Sequence, residues 1–376
     1  MRRLKFTVVL IAAAIAAAAF GAAVLVGRDG GADPTHPPVS GSPTHAGPRF
    51  VDLLGIGVNL GHSVTVLSDG SILIVGGRNK DDTGDLVNAI RFEPASGSIS
   101  PVGDVPAPVA FHTATVLGDG NVLIVGGDVA AVFDPSTNVF TKVGDPLVPR
   151  KGHSAVLLAN STVLVAGGSS LGRFATSAEV YDPSVRQFRT AAPLSAPAPR
   201  PSLVAAGDGA LLVTGDRIER YSPGNDTFTL VDVTLPASGP TVVRISEGLV
   251  LLTGGLSSEV LDRSGTVRAS DLVALLDLTT GSIRTLGKMT TPRFLHTATL
   301  LEDGLVLITG GDSDSHRDET LASAELVDVS NGHATRVEDM AQARSAHQAV
   351  ALSGGRAGIF GSASVSAEHP AEVFVR

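Results

Sequence analysis

Short apolar segments alternate with glycine-rich turns along most of this chain, and the pattern repeats. Its clearest copy runs from Gly61 to Gly77, where two apolar runs flank a Ser-Asp-Gly turn and end in a Gly-Gly pair. This copy starts at His62, and six further copies start at His112, His153, Pro201, Pro240, His296 and His347. The closing glycine, or its counterpart, always lies fourteen residues after the start: Gly76, Gly126, Gly167, Gly215, Gly254, Gly310 and Gly361. A fixed spacing inside units of variable length indicates a repeat architecture.

Each unit contains four short apolar stretches, which predict four strands. Continuous apolar runs such as 122–125 and 163–165 are typical of strands that are buried on both faces. The third stretch ends in a turn, as in Ala178 to Pro183, and a fourth stretch follows it. The connection between the second and third stretches varies most in length. The sequence therefore predicts an all-β fold built from seven four-stranded antiparallel blades.

The pattern His-x-Ala-x-x-Leu-x-Asp-Gly-x-x-Leu-x-x-Gly-Gly resembles the kelch repeat over residues 50–376. This resemblance implies a seven-bladed kelch-type β-propeller, a scaffold that hosts many unrelated functions. Galactose-oxidase-like members of the kelch superfamily use copper, two tyrosines and a Cys–Tyr crosslink. This chain has no Cys, and its two tyrosines, Tyr181 and Tyr221, stand at repeated positions, so a copper-radical cofactor is excluded. The excess of Arg over Lys and the abundance of Ala favour a bacterial member of the superfamily.

The two ends of the repeat region complement each other. The last unit stops at residues 371–376, which match a third strand and leave no fourth. The first unit is preceded by Phe50 to Leu54, an apolar stretch that has no partner within its own unit. We expect this N-terminal strand to complete the last blade and to close the ring, which removes an open sheet edge between the chain ends.

The first 27 residues predict a signal-anchor or a signal peptide. A basic flank (1–5) precedes 21 uncharged residues from Phe6 to Val26. At about 1.5 Å per helical residue this stretch spans the roughly 30 Å hydrocarbon core, whereas the apolar region of a cleaved signal is typically about 7–15 residues long. The basic flank places the N-terminus in the cytoplasm. The repeat region is therefore expected to be extracytoplasmic, anchored in the cell membrane or, if the segment is cleaved, secreted.

Residues 28–49 are rich in Pro, Gly and Thr, and they predict a disordered tether. The whole chain carries 37 acidic against 28 basic residues, a net charge of −9. An acidic body without a basic stripe argues against nucleic acid and against anionic lipid surfaces. We therefore expect a monomer that touches the membrane only through its N-terminal helix. The lack of Cys also excludes disulfides and zinc–thiolate sites.

Histidines begin five of the units: His62, His112, His153, His296 and His347. Arg precedes three of them by three residues (Arg150, Arg293 and Arg344), and Glu recurs near the end of the third strand (Glu179, Glu219, Glu325 and Glu372). Copies at equivalent positions lie about one blade apart, which is too far for one metal ion. We therefore predict structural roles for the histidines, through hydrogen bonds within or between blades. The closing glycines Gly76, Gly126, Gly167, Gly254 and Gly310 are structural as well, and the Arg and Glu sets predict ion pairs between blades.

Acidic residues that do not recur are the better candidates for binding. One group, Asp312, Asp314, His316 and Asp318, places a potential ligand at every second position of a long connection, as calcium loops do. The sixth position has no Gly, however, and Ser323 stands where a calcium loop carries Glu, so a solvated loop is the alternative. A second group contains Asp81, Asp82 and Asp85. A Ca²⁺ site is the one metal hypothesis; otherwise no cofactor is expected.

Alternating strand directions place the connections between second and third strands on one face of the ring. Variable loops on a regular scaffold are where recognition residues concentrate. The sequence therefore predicts a binding or scaffold module at the cell envelope, which takes a protein or a small ligand on that face. The alternative is a small-molecule enzyme, such as a carbohydrate isomerase, mutarotase or lyase, although 4% aromatic residues and no Trp leave few stacking platforms for sugars.

Overall fold

The computed structural model describes residues 47–53, 56, 59–78, 84–260, 265–316, 319–361 and 371–376, without the side chains of 258–260. All regular structure within these residues is β-strand. In this part of the chain no helix is long and apolar enough to cross a membrane. The predicted segment 1–27 and almost all of the tether at 28–49 lie outside the described residues.

Strand β1 (Arg49–Asp52) precedes the first blade. Blade 1 contains β2 (Ser63–Val66), β3 (Ile72–Val75), β4 (Ala89–Glu93) and β5 (Ser98–Val102). Blade 2 contains β6 (Thr113–Val116), β7 (Val122–Gly126), β8 (Val129–Asp134) and β9 (Val139–Lys142). Blade 3 contains β10 (Ser154–Leu157), β11 (Val163–Ala166), a small hairpin of β12 (Ser169–Ser170) and β13 (Arg173–Phe174), then β14 (Ala178–Asp182) and β15 (Gln187–Ala191).

Blade 4 contains β16 (Ser202–Ala206), β17 (Gly209–Thr214), β18 (Arg217–Ser222) and β19 (Thr227–Leu230). Blade 5 contains β20 (Thr241–Arg244), β21 (Leu249–Thr253), a hairpin of β22 (Leu256–Val260) and β23 (Val267–Ala269), then β24 (Leu272–Asp277) and β25 (Ile283–Lys288). Blade 6 contains β26 (Thr297–Leu300), β27 (Leu305–Thr309), β28 (Ala324–Asp328) and β29 (Ala334–Arg336). Blade 7 contains β30 (Gln348–Leu352), β31 (Arg356–Phe360) and β32 (Ala371–Val375).

The predicted ring closure is confirmed. The sheet of blade 7 has the order β1-β32-β31-β30, so the N-terminal strand supplies its missing fourth strand. The pairing is antiparallel and runs from Arg49 opposite Val375 to Asp52 opposite Glu372. The Phe50 ring packs on Phe374 with ring centroids 5.3 Å apart. The described residues therefore form the predicted seven four-stranded antiparallel blades in a ring.

The hydrophobic core lies between neighbouring blades. The first strands form the inner wall, and each contacts the first strands of both neighbours around the ring. The second strands β3, β7 and β11 are buried along their whole length, as their continuous apolar runs predicted. One cluster joins Leu73 of blade 1 to Ile124 and Phe133 of blade 2. The sequence repeat thus stabilises the ring by packing each blade against the next.

The closing glycines make room for the following blade. Gly254 has φ +57°, and a Cβ there would lie 2.2 Å from the carbonyl oxygen of Arg293 and 2.5 Å from His296 Cε1. At Gly361 a Cβ would lie 2.5 Å from His62 Cε1, across the closure of the ring. All three contacts are shorter than any side chain tolerates. The fixed spacing in the sequence therefore reflects a close approach between blades.

Removing β1 is expected to destabilise the propeller, because it exposes the edge of blade 7 and removes the Phe50–Phe374 contact. Deletion of residues 1–53 should lower the free energy of unfolding by about 2 kcal/mol, the scale of burying one large apolar side chain. Deletion of residues 1–46 retains β1 and is the matched control. Thermal melts of both variants check this, and equal melting temperatures would show that β1 does not close the ring.

Candidate functional site

One face of the ring collects the variable connections. Antiparallel pairing places the start of each first strand beside the end of the second strand. The segments before the first strands and the connections between second and third strands therefore share this face, which we call the upper face. The second-to-third connection is a tight hairpin in blades 2 and 4, and it is longer in blades 1, 3, 5 and 6.

A ring of seven residues surrounds the central channel at the upper face. We call it the mouth ring, and its members directly precede the unit starts: Gly61, Phe111, Gly152, Arg200, Gly239, Leu295 and Ala346. All seven have positive φ, between 48° and 71°. This conformation costs a residue with a side chain about 1–2 kcal/mol. Backbone hydrogen bonds stabilise it, since Phe111 N donates to Gly61 O (2.7 Å) and Gly152 N donates to Phe111 O (2.7 Å).

Large and small residues alternate over the first six blades of the mouth ring, and blade 7 adds the small residue Ala346. Glycine occupies blades 1, 3 and 5, whereas Phe111, Arg200 and Leu295 occupy blades 2, 4 and 6. A Cβ added to Gly61 would lie 2.9 Å from the Phe111 ring, and one added to Gly152 would lie 3.6 Å from Arg200 Cγ. The side chains of Phe111 and Arg200 therefore lean over the glycine of the preceding blade. Sequence reasoning missed this ring, although the position before each unit start was visible.

The mouth ring borders a pocket of about 180 Å³ at the channel entrance. Its lining comes from blades 7, 1, 2, 3 and 4: Leu60, Gly61, His62, Phe111, His112, Gly152, His153, Arg200, Pro201, Ala346 and Gln348. Among the described residues of this lining, Arg200 and three histidines are ionisable, and none is a carboxylate. The pocket thus combines one permanent cation, an aromatic ring and an amide.

The unit-start histidines join neighbouring blades, as the repeat predicted. Their Nε2 atoms lie 2.8–3.0 Å from hydroxyl oxygens of the preceding blade, in the pairs Ser63–His112, Thr113–His153, Thr253–His296 and Thr297–His347. His62 instead donates from Nδ1 to the carbonyl oxygen of Asn59, at 2.5 Å. Burial lowers the pKa of His62 to about 4 and the pKa of His112 to about 3. These rings are neutral at pH 7, which suits structural hydrogen bonds.

The predicted Arg–Glu pairs exist, and each of them connects two blades, as expected. Arg150 Nη2 lies 2.5 Å from Glu179 Oε1, and equivalent pairs join Arg293 to Glu325 and Arg344 to Glu372, at 2.8 Å each. In each case the Glu lies on the third strand of the blade that the connector enters, whereas the backbone of the Arg is hydrogen-bonded to the preceding blade. Arg150 exchanges two backbone hydrogen bonds with Gly127, and the carbonyl oxygens of Arg293 and Arg344 accept from Gly255 N and Gly311 N. The pair therefore fastens each blade to its neighbour.

Asp85 is held by two cations. It accepts hydrogen bonds from Arg78 Nε at 3.0 Å and from Lys151 Nζ. Burial raises the pKa of Asp85, but the hydrogen bonds and charges of Lys151 and Arg78 outweigh burial and lower it overall. Lys151 belongs to the connector that enters blade 3, whereas Asp85 belongs to blade 1. This contact therefore spans blade 2, whose second-to-third connection is a tight hairpin. The other two predicted residues of this loop, Asp81 and Asp82, lie outside the described residues.

The acidic connection of blade 6 does not gather its side chains around one point. Asp312 is buried and accepts a hydrogen bond from Thr320 Oγ1 at 2.8 Å. Asp314 accepts a hydrogen bond from the backbone N–H of His316. The Nδ1 atom of the His316 ring lies 2.7 Å from Thr266 Oγ1 in the blade 5 connection. Asp318 lies outside the described residues. Among the residues that are described, no group of three His, Cys, Asp or Glu could hold a metal ion.

No family model matches this chain, and no curated protein sequence matches it either. Among solved structures it is similar to a fungal alcohol oxidase of the AA5 family, solved in complex with copper. That similarity has a TM-score of 0.70 at 15% sequence identity, and it covers 87% of this chain and 75% of the oxidase. At this identity the comparison shows the propeller fold alone.

The residues of this chain do not fit a copper-radical centre. The sequence contains no Cys for the crosslink. Tyr181 and Tyr221 are both buried in blade cores, where each packs on a phenylalanine. Tyr221 also donates its hydroxyl to Asp226 at 2.8 Å. The resemblance to the oxidase therefore carries no copper chemistry to these two positions.

Proposed function

We propose that this chain is an extracytoplasmic kelch-type propeller that binds a protein or a small ligand through its upper face. The observation that carries the proposal is the difference between the two faces of the ring. The long connections of blades 1, 3, 5 and 6 gather on the upper face, together with the channel pocket and the mouth ring. Loops of variable length on a rigid scaffold are typical of recognition surfaces.

The path of the chain supports an outward-facing binding surface. Strand β1 begins at Arg49, opposite Val375, and the C-terminal Arg376 forms an ion pair with Asp303 in the turn between β26 and β27. That turn belongs to the face opposite the upper face. If residues 1–27 anchor the protein, the tether reaches the propeller from this lower face. The upper face then points away from the membrane, toward other envelope components.

The pocket favours binding over the alternative carbohydrate isomerase, mutarotase or lyase activity. Acid–base catalysis needs a group that gains and loses a proton near neutral pH. Burial lowers the pKa of His112 and of His153 to about 3, so both stay neutral. The described lining offers no carboxylate that could act with them. A permanent cation such as Arg200 orients a ligand but does not exchange protons at pH 7.

Two loop replacements test the proposal. Replacing residues 169–176 by one Asp copies the Gly-Gly-Asp hairpin of blade 2 onto blade 3 and leaves Ser177 in place for Arg150. Deleting 313–322 does the same for blade 6. The matched control, Asn160→Asp with Ser161→Gly, gives a lower-face turn the residues used in other units. Each variant is cross-linked in intact envelopes, and its captured partners are identified.

We expect the wild type and the lower-face control to capture the same specific partner. The two upper-face replacements should lose it, while their melting temperatures stay within a few degrees of the wild type. Unchanged capture by both replacements would contradict binding through the upper face. Turnover of a sugar by the purified chain, abolished by substitution of Arg200, would establish the enzyme alternative instead.

A further inference from the structure

We infer that the connector entering blade 4 is a strap that opens away from the ring and carries one wall of the channel pocket with it. The strap is defined as residues 192–200, between the last strand of blade 3 and the first strand of blade 4. The inference goes beyond the proposed binding role, and its test needs neither a ligand nor a partner. It follows from two side-chain ties that fasten the connectors of blades 3, 6 and 7 and that are absent from the strap.

The first missing tie is the buried ion pair. Blade 4 keeps the glutamate of that pair, since Glu219 is 0% exposed and occupies the position of Glu179. It lacks the arginine, because Ala198 stands at the position of Arg150. Within the described residues, Glu219 accepts hydrogen bonds from Ser195 alone, whose N–H and hydroxyl each lie 2.9 Å from one carboxylate oxygen.

This unpaired carboxylate favours opening of the strap. A buried carboxylate without a counter-ion is unfavourable, because the interior does not replace the water that the charge loses. Water reaches Glu219 when the strap opens, and this offsets part of the cost. Blades 3, 6 and 7 pair the glutamate with arginine, and blades 1, 2 and 5 replace it by Ile90, Ala131 and Ala274. The strap is therefore the connector that opens at the lowest cost.

The second missing tie is the histidine at the unit start. Blade 4 has Pro201 there, whereas blades 3, 6 and 7 have a histidine whose Nε2 lies within hydrogen-bond distance of a hydroxyl group in the preceding blade. The strap also contains three prolines, which have no N–H to donate. Backbone hydrogen bonds hold it on blade 3, such as the one from Leu194 N to Thr176 O at 2.8 Å. A segment without buried side-chain ties opens locally more readily than one that has them.

Opening of the strap changes the channel pocket. The strap ends at Arg200, and Arg200 and Pro201 form the blade 4 side of the pocket lining. The remaining lining belongs to blades 7, 1, 2 and 3. A strap that moves away from the ring takes the blade 4 side of the pocket with it. The pocket volume of about 180 Å³ therefore corresponds to the closed strap, and the open strap admits a larger ligand or a chain segment of a partner.

A single engineered thiol reports the opening, because the chain contains no Cys. Leu194→Cys places the thiol in the strap, at a residue that is 4% exposed. Met289→Cys and Met340→Cys are matched controls, since each lies seven residues before a unit start, as Leu194 does, and these residues are 4% and 3% exposed. They belong to the connectors of blades 6 and 7, which have both ties. The rate of labelling by N-ethylmaleimide at pH 7, divided by the rate in denaturant, measures how often each buried thiol becomes accessible.

We expect Leu194→Cys to be labelled at least about tenfold faster than either control. Ala198→Arg with Arg217→Ser, added to Leu194→Cys, copies the Arg-Ser-Glu arrangement of blade 3 and keeps the net charge. It should slow labelling to the rate of the controls, whereas Arg217→Ser alone should not slow it. Glu219→Gln removes the charge without adding a side chain to the strap, and it should slow labelling as well.

Pro201→Cys moves the thiol to the pocket wall. Its labelling should also slow under Ala198→Arg with Arg217→Ser, because the strap carries this wall. Equal labelling of the three connector thiols would overturn the inference, and so would labelling of Leu194→Cys that neither this pair of substitutions nor Glu219→Gln slows. Unchanged labelling of Pro201→Cys would overturn the movement of the wall. None of these rates depends on partner capture, so the binding proposal and this inference fail separately.

Discussion

Acidification from pH 7 to pH 5 is expected to lower the melting temperature of the propeller sharply. Five buried histidines must stay neutral for the ring to remain folded. Burial lowers the pKa of His62 to about 4 and the pKa values of His112, His153 and His347 to about 3, and it lowers that of His296 well below 6.5. The ordinary value, which the unfolded chain restores, is 6.5. The unfolded state therefore binds more protons, and stability falls as the pH decreases from about 6.5 toward 4.

Each histidine contributes a slope of at most about 1.4 kcal/mol per pH unit within this window. Protonation of carboxylates changes the free energy of unfolding only at lower pH. Hydrogen bonds from Ser136 and Ser184 lower the pKa values of Asp134 and Asp182 below 3.8, so their contribution is lost only below that value. Measurements between pH 7 and pH 4.5 therefore report mainly on the histidines.

Thermal melts at pH 7, 6 and 5 measure this effect. His153→Gln removes one of the five proton-binding groups and keeps a polar side chain beside Thr113, so the pH dependence should become shallower by about one fifth. The matched control is His333→Gln, because the side chain of His333 is exposed in a turn of blade 6. If both variants show the wild-type slope, the buried histidines do not set the acid sensitivity.

Much of the fold follows from the sequence because the residues that repeat are the ones through which neighbouring blades contact each other. The fixed distance from His62 to Gly76 and from His296 to Gly310 sets the length of a two-stranded hairpin. The orphan stretch at Phe50 predicted ring closure, because a blade with three strands leaves an edge that another strand must cover. Such features depend on the number of residues in each strand and turn, which can be counted in the sequence.

Side-chain partners were harder to predict. The pairing of Arg150 with Glu179 was expected between blades and does connect them, but the sequence does not show that Arg150 also donates to the carbonyl oxygens of Gly167 and Ser177. Asp312 was expected to face solvent or a metal ion, but it is buried beside Thr320. The mouth ring was missed because a sequence indicates positive φ only at Gly, and three of the ring positions are occupied by Phe111, Arg200 and Leu295.

Arg150→Ala is expected to destabilise the protein by about 3–5 kcal/mol, the usual effect of breaking a buried ion pair. Arg150 is 1% exposed and donates to the carbonyl oxygens of Gly167 (3.1 Å) and Ser177 (2.9 Å) as well as to Glu179. Its removal leaves the Glu179 carboxylate buried, with only the backbone N–H groups of the connector as donors. Chemical denaturation at pH 7 measures the loss.

The chain contains its own control for this prediction. Blade 2 has Val109 and Ala131 at the two corresponding positions, and both are buried without charge. The double variant Arg150→Val with Glu179→Ala therefore copies an arrangement that already packs in this ring. We expect it to be more stable than Arg150→Ala, because no charge is left unpaired in the interior. If the double variant is as unstable as the single one, the hydrogen bonds from Arg150 to Gly167 and Ser177, and not the ion pair, hold the connector in place.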